Sequence, residues 1–292
     1  MTLNLYTLSV KNSSAIDNLS QGETTSVIYH DIFDYPMDFK DLIKWRVAEG
    51  FSNKETAVTV HRGYVFKMGR ERLVYKRQLR YRISQKKLQI AKRAVFVLSK
   101  IPFIKMIGLT GSLAMNNSTE QSDIDLLIIT DRNRLWISRL ISFFLFKVFN
   151  IPTRRSGDVD QKDKICLNMW LDTDSLTWKK QRNLYTAHEI AQVKPLFNKD
   201  ETYESFLKKN KWILNYWPNS VKIENTKSEK TYHLKNNFLI KIVDFIEAFA
   251  YRFQYERMKN KITKETVGKK IALFHPQDWG EIVLARLSVV IP

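Results

Sequence analysis

Two aspartates one residue apart, Asp123 and Asp125, stand at the head of a run that is otherwise aliphatic through residue 129. A strand alternates its side chains, so both carboxylates lie on one face. Like charges side by side on a buried strand repel, and desolvating them is costly unless a divalent cation lies between them. Upstream, Gly111-Ser112 closes a second strand-like run over residues 103–110. A Gly-Ser turn opening a short helix offers backbone N–H groups and a hydroxyl that suit phosphate oxygens. Together the two motifs commit the chain to a strand–turn–helix–strand unit able to hold metal and phosphate, the arrangement used for in-line displacement at phosphorus.

The rest of the chain is organised around that unit. Residues 1–24 are polar and aperiodic and read as an N-terminal arm. Residues 25–75 read as a winged-helix-like module. In it, helical spacing runs from Val27 to Phe33, Asp38 is a candidate cap for a second helix through about Val47, and a third helix is expected after Ser52-Asn53. The Arg62-Gly63 pair suits a tight turn between two short strands. Residues 76–100 form a basic connecting helix with a seam of Leu79, Ile83, Leu88, Ala91, Val95 and Leu98, its cations outside. Residues 101–180 supply strands near 103–110, 124–130 and 164–171, with a helix over about 132–149. Residues 181–292 read as a C-terminal helical domain, including a long amphipathic helix over 237–261.

Composition narrows the partners. Forty-eight Lys and Arg against 30 Asp and Glu give a net charge of +18, which favours polyanions such as nucleic acid or nucleotides. One cysteine, Cys166, excludes a disulfide framework and fits a reducing, cytoplasmic setting. The N-terminus has no basic region followed by an apolar stretch, so no signal peptide is expected. The longest apolar run, near 140–149, is broken by Lys147 and falls short of the roughly 20 residues of a membrane span. Nothing in the sequence sets an oligomeric state.

The segment Thr110-Gly111-Ser112 through Ser122-Asp123-Ile-Asp125-Leu-Leu-Ile resembles the signature of the DNA polymerase β-type nucleotidyltransferase superfamily. The wider layout also resembles a group of uncharacterised bacterial nucleotidyltransferase-domain proteins. Asp31-Ile-Phe-Asp-Tyr-Pro36, Asp163-Lys-Ile-Cys-Leu-Asn168, Leu184-Tyr-Thr-Ala-His-Glu189 and Phe274-His-Pro-Gln-Asp278 carry that likeness. The resemblance implies an α+β fold: a polymerase β-like core, a small mixed sheet with helices, between the winged-helix-like module and the C-terminal helical region. It implies a metal-dependent nucleotidyltransferase that moves an NMP from an NTP to an acceptor hydroxyl and releases pyrophosphate. Mg2+ (or Mn2+) would sit at Asp123 and Asp125, and Gly111 and Ser112 would hold the triphosphate.

A third carboxylate, early on a later strand, belongs to the same pattern. The strand over 164–171 presents Cys166 and Asn168 on one face, and neither is an acid. Asp163 precedes it and Asp172 follows it; Asp163 is expected to take the role, although its alternation parity is against it. Arg154, Arg155, Lys162 and Lys164 lie between the second and third strands, placed to neutralise a triphosphate or grip an acceptor. Nucleic acid is the favoured acceptor. The alternative is a weak or inactive nucleotidyltransferase fold that binds DNA or a protein through its winged helix, whose third helix (53–59) carries a single base, Lys54. His188-Glu189 reads as a pair near a capping box rather than a zinc motif, because Gln192 stands where a second histidine is needed.

Overall fold

The computed structural model of the chain describes residues 14–15, 19–48, 57–155, 157–179, 181–223, 237–274 and 279–288. The first helix, α1 (Gln21–Asp31), begins ahead of the expected boundary at Thr25. Ser20 and Glu23 cap it reciprocally: Ser20 N donates to Glu23 Oε2 at 2.8 Å and Glu23 N to Ser20 Oγ at 3.4 Å. Asp38 caps α2 (Phe39–Lys44) as expected, accepting from Asp41 N at 2.8 Å. Four short strands pair antiparallel in the order β1 (Ser14–Ala15), β3 (Val58–His61), β4 (Tyr64–Lys67), β2 (Met37–Asp38). Arg62 and Gly63 turn between β3 and β4 with φ of 51° and 78°, the left-handed pair that a two-residue hairpin favours. Of the expected third helix (53–59), residues 53–56 lie outside the described residues and Val58 and Thr59 belong to β3 instead, where pairing with β4 takes them; most of the expected arm, 1–13 and 16–18, is also outside the described residues.

A single helix, α3 (Arg72–Leu98), follows, and the apolar seam the periodicity suggests holds only over its second half, from Leu88. Ala91, Ala94, Val95 and Leu98 are buried, but so are Arg77, Ser84 and Lys87, while Leu79 is 46% exposed. The cause is the loop over residues 116–122, which packs on this face and brings backbone groups that need partners. Arg77 Nη1 donates to Asn116 O at 2.9 Å, Ser118 N donates to Ser84 Oγ at 3.0 Å, and Lys87 Nζ reaches Glu120 O at 3.1 Å and Ser122 O at 2.8 Å. The long basic helix is therefore the clamp for the loop that carries Asp123. Lys87→Met should leave both carbonyls and Asp163 without this buried partner and cost about 2–4 kcal/mol, roughly a 5–10 °C fall in Tm. Thermal unfolding checks this, and an unchanged Tm would remove Lys87 from the account.

The core is a six-stranded sheet in the order β8 (Lys194–Asn198), β5 (Ile104–Leu109), β6 (Ile124–Thr130), β7 (Ile165–Asp172), β10 (Ile271–Leu273), β9 (Thr266–Val267). β6 and β7 are parallel, joined across α5 (Leu135–Val148), and the other neighbours are antiparallel. The apolar run after Asp125 is the central strand, and its alternation feeds two cores. Leu126 and Ile128 pack with α3 and α5, whereas Leu127 and Ile129 pack with α1, α2 and α6 (Leu184–Ala191). By the same alternation, Asp123 and Asp125 face the second group.

The C-terminal region is not purely helical, which corrects the sequence expectation for 181–292. Besides α6, α7 (Thr202–Lys209), α8 (Asn237–Met258) and α9 (Trp279–Ser288), it returns β8 to one edge of the sheet and β10 and β9 to the other. These strands are too short to show alternation, and Pro195 in β8 argues against a strand except at an edge, where β8 lies. Gly108 of β5 allows the approach: a Cβ there would lie 2.6 Å from Val193 Cγ1. On α8, Glu247, Ala250 and Gln254 form the inward seam, and Glu247 accepts from Trp136 N and Ile137 N at 2.8 and 2.7 Å, capping α5. Phe245 and Phe249 of α8 face outward. Among the described residues no helix is long and apolar enough to cross a membrane.

Candidate functional site

At the end of β5, Thr110 leads into α4 (Gly111–Ala114), a single turn. Gly111 has a φ of +59°, and a Cβ built on it would lie 2.6 Å from Asp125 Oδ2. Only glycine lets the backbone take this turn and come so near the carboxylate. Ser112 Oγ lies 3.3 Å from Ser118 Oγ, which ties the turn to the loop clamped by α3. Both motifs read from the sequence, Gly111-Ser112 and Asp123-x-Asp125, line one cavity of about 550 Å³.

The carboxylates sit in different environments. Asp123 Oδ2 accepts from Arg154 Nη1 at 2.7 Å. Asp125 has no ion pair among the described residues, and its pKa is pushed up to about 7, by burial first and by the charge of Asp123 second. It accepts from Asn168 Nδ2 at 2.8 Å. Alternation places Asn168 there, two residues beyond the partner of Asp125, and an irregularity follows. The β6–β7 register shifts between Asp125 and Leu127, so Cys166 opposes Asp125 and Met169 opposes Leu127, with Leu167 and Asn168 filling the extra length. The bulge turns Met169 onto the face of Leu127 as well, so Asn168 and Met169 both lie on the carboxylate side.

Ligand atoms of Asp123, Asp125 and Cys166 lie within 4.8 Å of one another, a group able to hold a metal ion. Its chemistry favours a hard cation. The two carboxylates offer oxygen, and Asn168 Oδ1 is buried with no hydrogen-bond partner, leaving a neutral oxygen ligand open beside them. Burial and the neighbouring carboxylates raise the Cys166 thiol well above its usual range, so its sulfur stays protonated and is a poor ligand for such an ion.

The remaining sequence candidates separate. Arg154 is at the site. Arg155 lines a neighbouring cavity. Asp163, expected as the third acid, is held elsewhere: it follows the turn into β7 with a φ of 58°, and its Oδ1 accepts from the buried Lys87 at 2.6 Å. Neither cavity is lined by it. Lys164 pairs with Asp158 at 2.9 Å and likewise lines neither. Asp172 lies at the far end of β7, opposite Thr130, and accepts from Asn133 N and Asp174 N, both at 3.1 Å.

Helix α6 supplies groups that its sequence motif presents only as a pair near a capping box. Tyr185, His188, Glu189 and Gln192 recur at i, i+3, i+4 and i+7, one helical face, and all line the cavity. That polar stripe between apolar residues was the available signal. Glu189 is half-buried and its pKa is raised to about 8, by desolvation and then by the charge of Asp125, while Gln192 Nε2 donates to its Oε1 at 2.6 Å. His188 packs among Tyr29, His30, Trp45 and Trp217, with ring centroids 4.5–5.5 Å away. Burial keeps both histidines neutral, His30 down to about 4 and His188 well below its usual value. His30 Nδ1 is bonded to Ser26 O at 2.8 Å; its Nε2 and both ring nitrogens of His188 have no partner among the described residues.

A family model for the nucleotidyltransferase domain matches residues 90–267, from the last turns of α3 through β9. No curated protein matches the chain.

Proposed function

The chain belongs to the nucleotidyltransferase domain family, and we propose that it is a magnesium-dependent enzyme transferring an NMP from an NTP to an acceptor hydroxyl. The observation that carries this reading is the approach of Gly111 to Asp125 with Asp123 beside it, in a cavity large enough for a nucleotide. The acceptor oxygen bonds to Pα, the bond from Pα to the β-bridging oxygen breaks, and that oxygen leaves with the electron pair as pyrophosphate. The acceptor proton passes to a carboxylate, and we assign this role to Glu189 in place of Asp163, its ionised form becoming the main one only as pH rises through about 8. Gly111 and Ser112 hold the triphosphate. Arg154 exchanges Asp123 for phosphate oxygens when substrate enters. The neutral nitrogens of His30 and His188 hydrogen-bond the uncharged nucleoside. Magnesium (or manganese) held by Asp123, Asp125 and Asn168 Oδ1 would neutralise charge on the triphosphate.

The high positive charge favours a nucleic-acid acceptor. One observation favours a second reading: an amide, Asn168, stands on β7 where the resemblance implies a carboxylate, which suits a fold that binds NTP without turnover. A panel of NTPs with Mg2+ or Mn2+, followed by pyrophosphate release with and without cellular RNA, separates the two. Turnover is expected, and Asp123→Ala should lower it on the order of 10³-fold or more. NTP binding with no pyrophosphate from any member of the panel would favour the second reading.

A further inference from the structure

A second cavity, of about 340 Å³, adjoins the first and shares Arg154, Asn168 and Phe274 with it. β7 contributes Cys166, Leu167 and Asn168, α5 contributes Arg139, and the end of α8 and the turn after it contribute Arg257 and Lys261. Arg155 closes the ring. Five cations thus face this space with one carboxylate, Glu265, which is already engaged by Thr263 N at 2.6 Å and Thr263 Oγ1 at 3.1 Å.

Arg139 is the most telling of the five. Its guanidinium lies 4.8 Å from the Phe143 ring centroid and 4.6 Å from that of Phe274, and Nη1 donates to Gln254 Oε1 at 2.6 Å. Its Nε is buried with no hydrogen-bond partner, and no ion pair joins it to a carboxylate among the described residues. Burial alone lowers its pKa, to about 10, which leaves it a cation at neutral pH. Arg257 stacks on Phe253 at 4.0 Å and likewise has no acidic partner among the described residues. Guanidinium groups gathered without counter-charges, one of them half-buried with its Nε out of solvent, carry a desolvation cost that a bound anion offsets.

The position of the cavity says which anion. The larger cavity already holds the Gly-Ser turn and both aspartates, so the triphosphate belongs there. The basic cavity meets it at Asn168, whose Nδ2 touches Asp125. A molecule seated in it would present its near end to the carboxylate pair and its far end to Arg139 and Arg257.

We propose that this cavity is an acceptor subsite for a phosphate-bearing acceptor. Its phosphate is held by Arg139, Arg155, Arg257 and Lys261, and its hydroxyl passes Asn168 to reach the NTP. This rests on the transferase reading above.

The test is calorimetric titration of inorganic phosphate into protein saturated with Mg2+ and α,β-methylene-ATP, which fills the first cavity without turnover. Arg257 and Lys261 are exposed, so the double variant Arg257→Gln/Lys261→Gln should fold. It should bind phosphate about tenfold more weakly or worse, with analogue affinity within about twofold of wild type. Ribose 5-phosphate and a short single-stranded RNA are then competed against the bound phosphate. Displacement by the RNA assigns the acceptor to a nucleic-acid end, and displacement by ribose 5-phosphate alone assigns it to a small molecule. Displacement by neither, or phosphate binding that the double substitution leaves intact, overturns the subsite and leaves the transferase reading standing. Phosphate binding sensitive to the substitution in a protein that neither binds the analogue nor releases pyrophosphate keeps the subsite and removes the transferase.

Discussion

Asp125→Asn is expected to make the metal-free protein more stable at pH 8 than wild type while abolishing nucleotidyl transfer. The Asp125 carboxyl is held protonated to about pH 7, against an ordinary value of 3.8, by burial and by Asp123. Below the unfolded pKa both states carry the proton and the residue adds no pH dependence. Between pH 3.8 and about 7 the unfolded chain releases its proton while the folded chain keeps it, so stability falls as pH rises. Above about pH 7 the whole penalty is present, on the order of 2–4 kcal/mol. Asparagine removes the charge but keeps an oxygen to accept from Asn168 Nδ2, so little packing is lost. Urea unfolding at pH 5 and pH 8 should show a smaller loss of stability with pH in the variant. Adding Mg2+ at pH 8 should stabilise wild type and leave the variant unmoved. A variant less stable than metal-free wild type at pH 8 would contradict this account of the pair. The transfer rate should fall by about 10³-fold or more, as loss of a metal ligand implies.

Gly111→Ala should be nearly as damaging, through geometry rather than charge. Alanine at a φ of +59° costs roughly 1–2 kcal/mol from backbone strain alone. Its Cβ would also lie 2.6 Å from Asp125 Oδ2, so either the carboxylate rotates or the turn retreats. Both movements separate the triphosphate-binding turn from the metal-binding acid, and a displacement of about 1 Å at such a site lowers rate by about 100-fold. The expected variant is folded, about 2–3 kcal/mol less stable, and at least 100-fold slower in pyrophosphate release. A variant that keeps more than half of the wild-type rate would show that the close approach is not used.

The sequence disclosed the centre of the molecule and concealed its periphery, for identifiable physical reasons. The run after Asp125 is long enough to display two-core alternation, and Gly111-Ser112 and Arg62-Gly63 carry turn chemistry that survives in any context. β8, β9 and β10 have five, two and three residues, too few for a periodic signal, and they form only by pairing with strands far away in sequence. Asn168 shares the carboxylate face with Cys166 by plain alternation; what alternation alone cannot anticipate is Met169, which the bulge turns onto that same face. Asp163 lies near the strand start, where the resemblance implies an acid, yet Lys87 holds it, and nothing in the basic pattern of α3 distinguishes a cation turned inward to a loop from one in water. Glu189 was visible as one member of a polar helical stripe, but its facing Asp125's cavity is a tertiary fact.

The central claim is that Gly111, Ser112, Asp123 and Asp125 bring an NTP to in-line attack at its α-phosphorus. The most direct measurement follows label from α-³²P- and γ-³²P-NTP, with Mg2+, into the RNA, protein and small-molecule fractions of a cell extract. The account expects α-label joined to one acceptor fraction and γ-label in pyrophosphate, with both lost in Asp125→Asn. Label from the γ-position on the acceptor, or α-label transfer undiminished by Asp125→Asn, would contradict it.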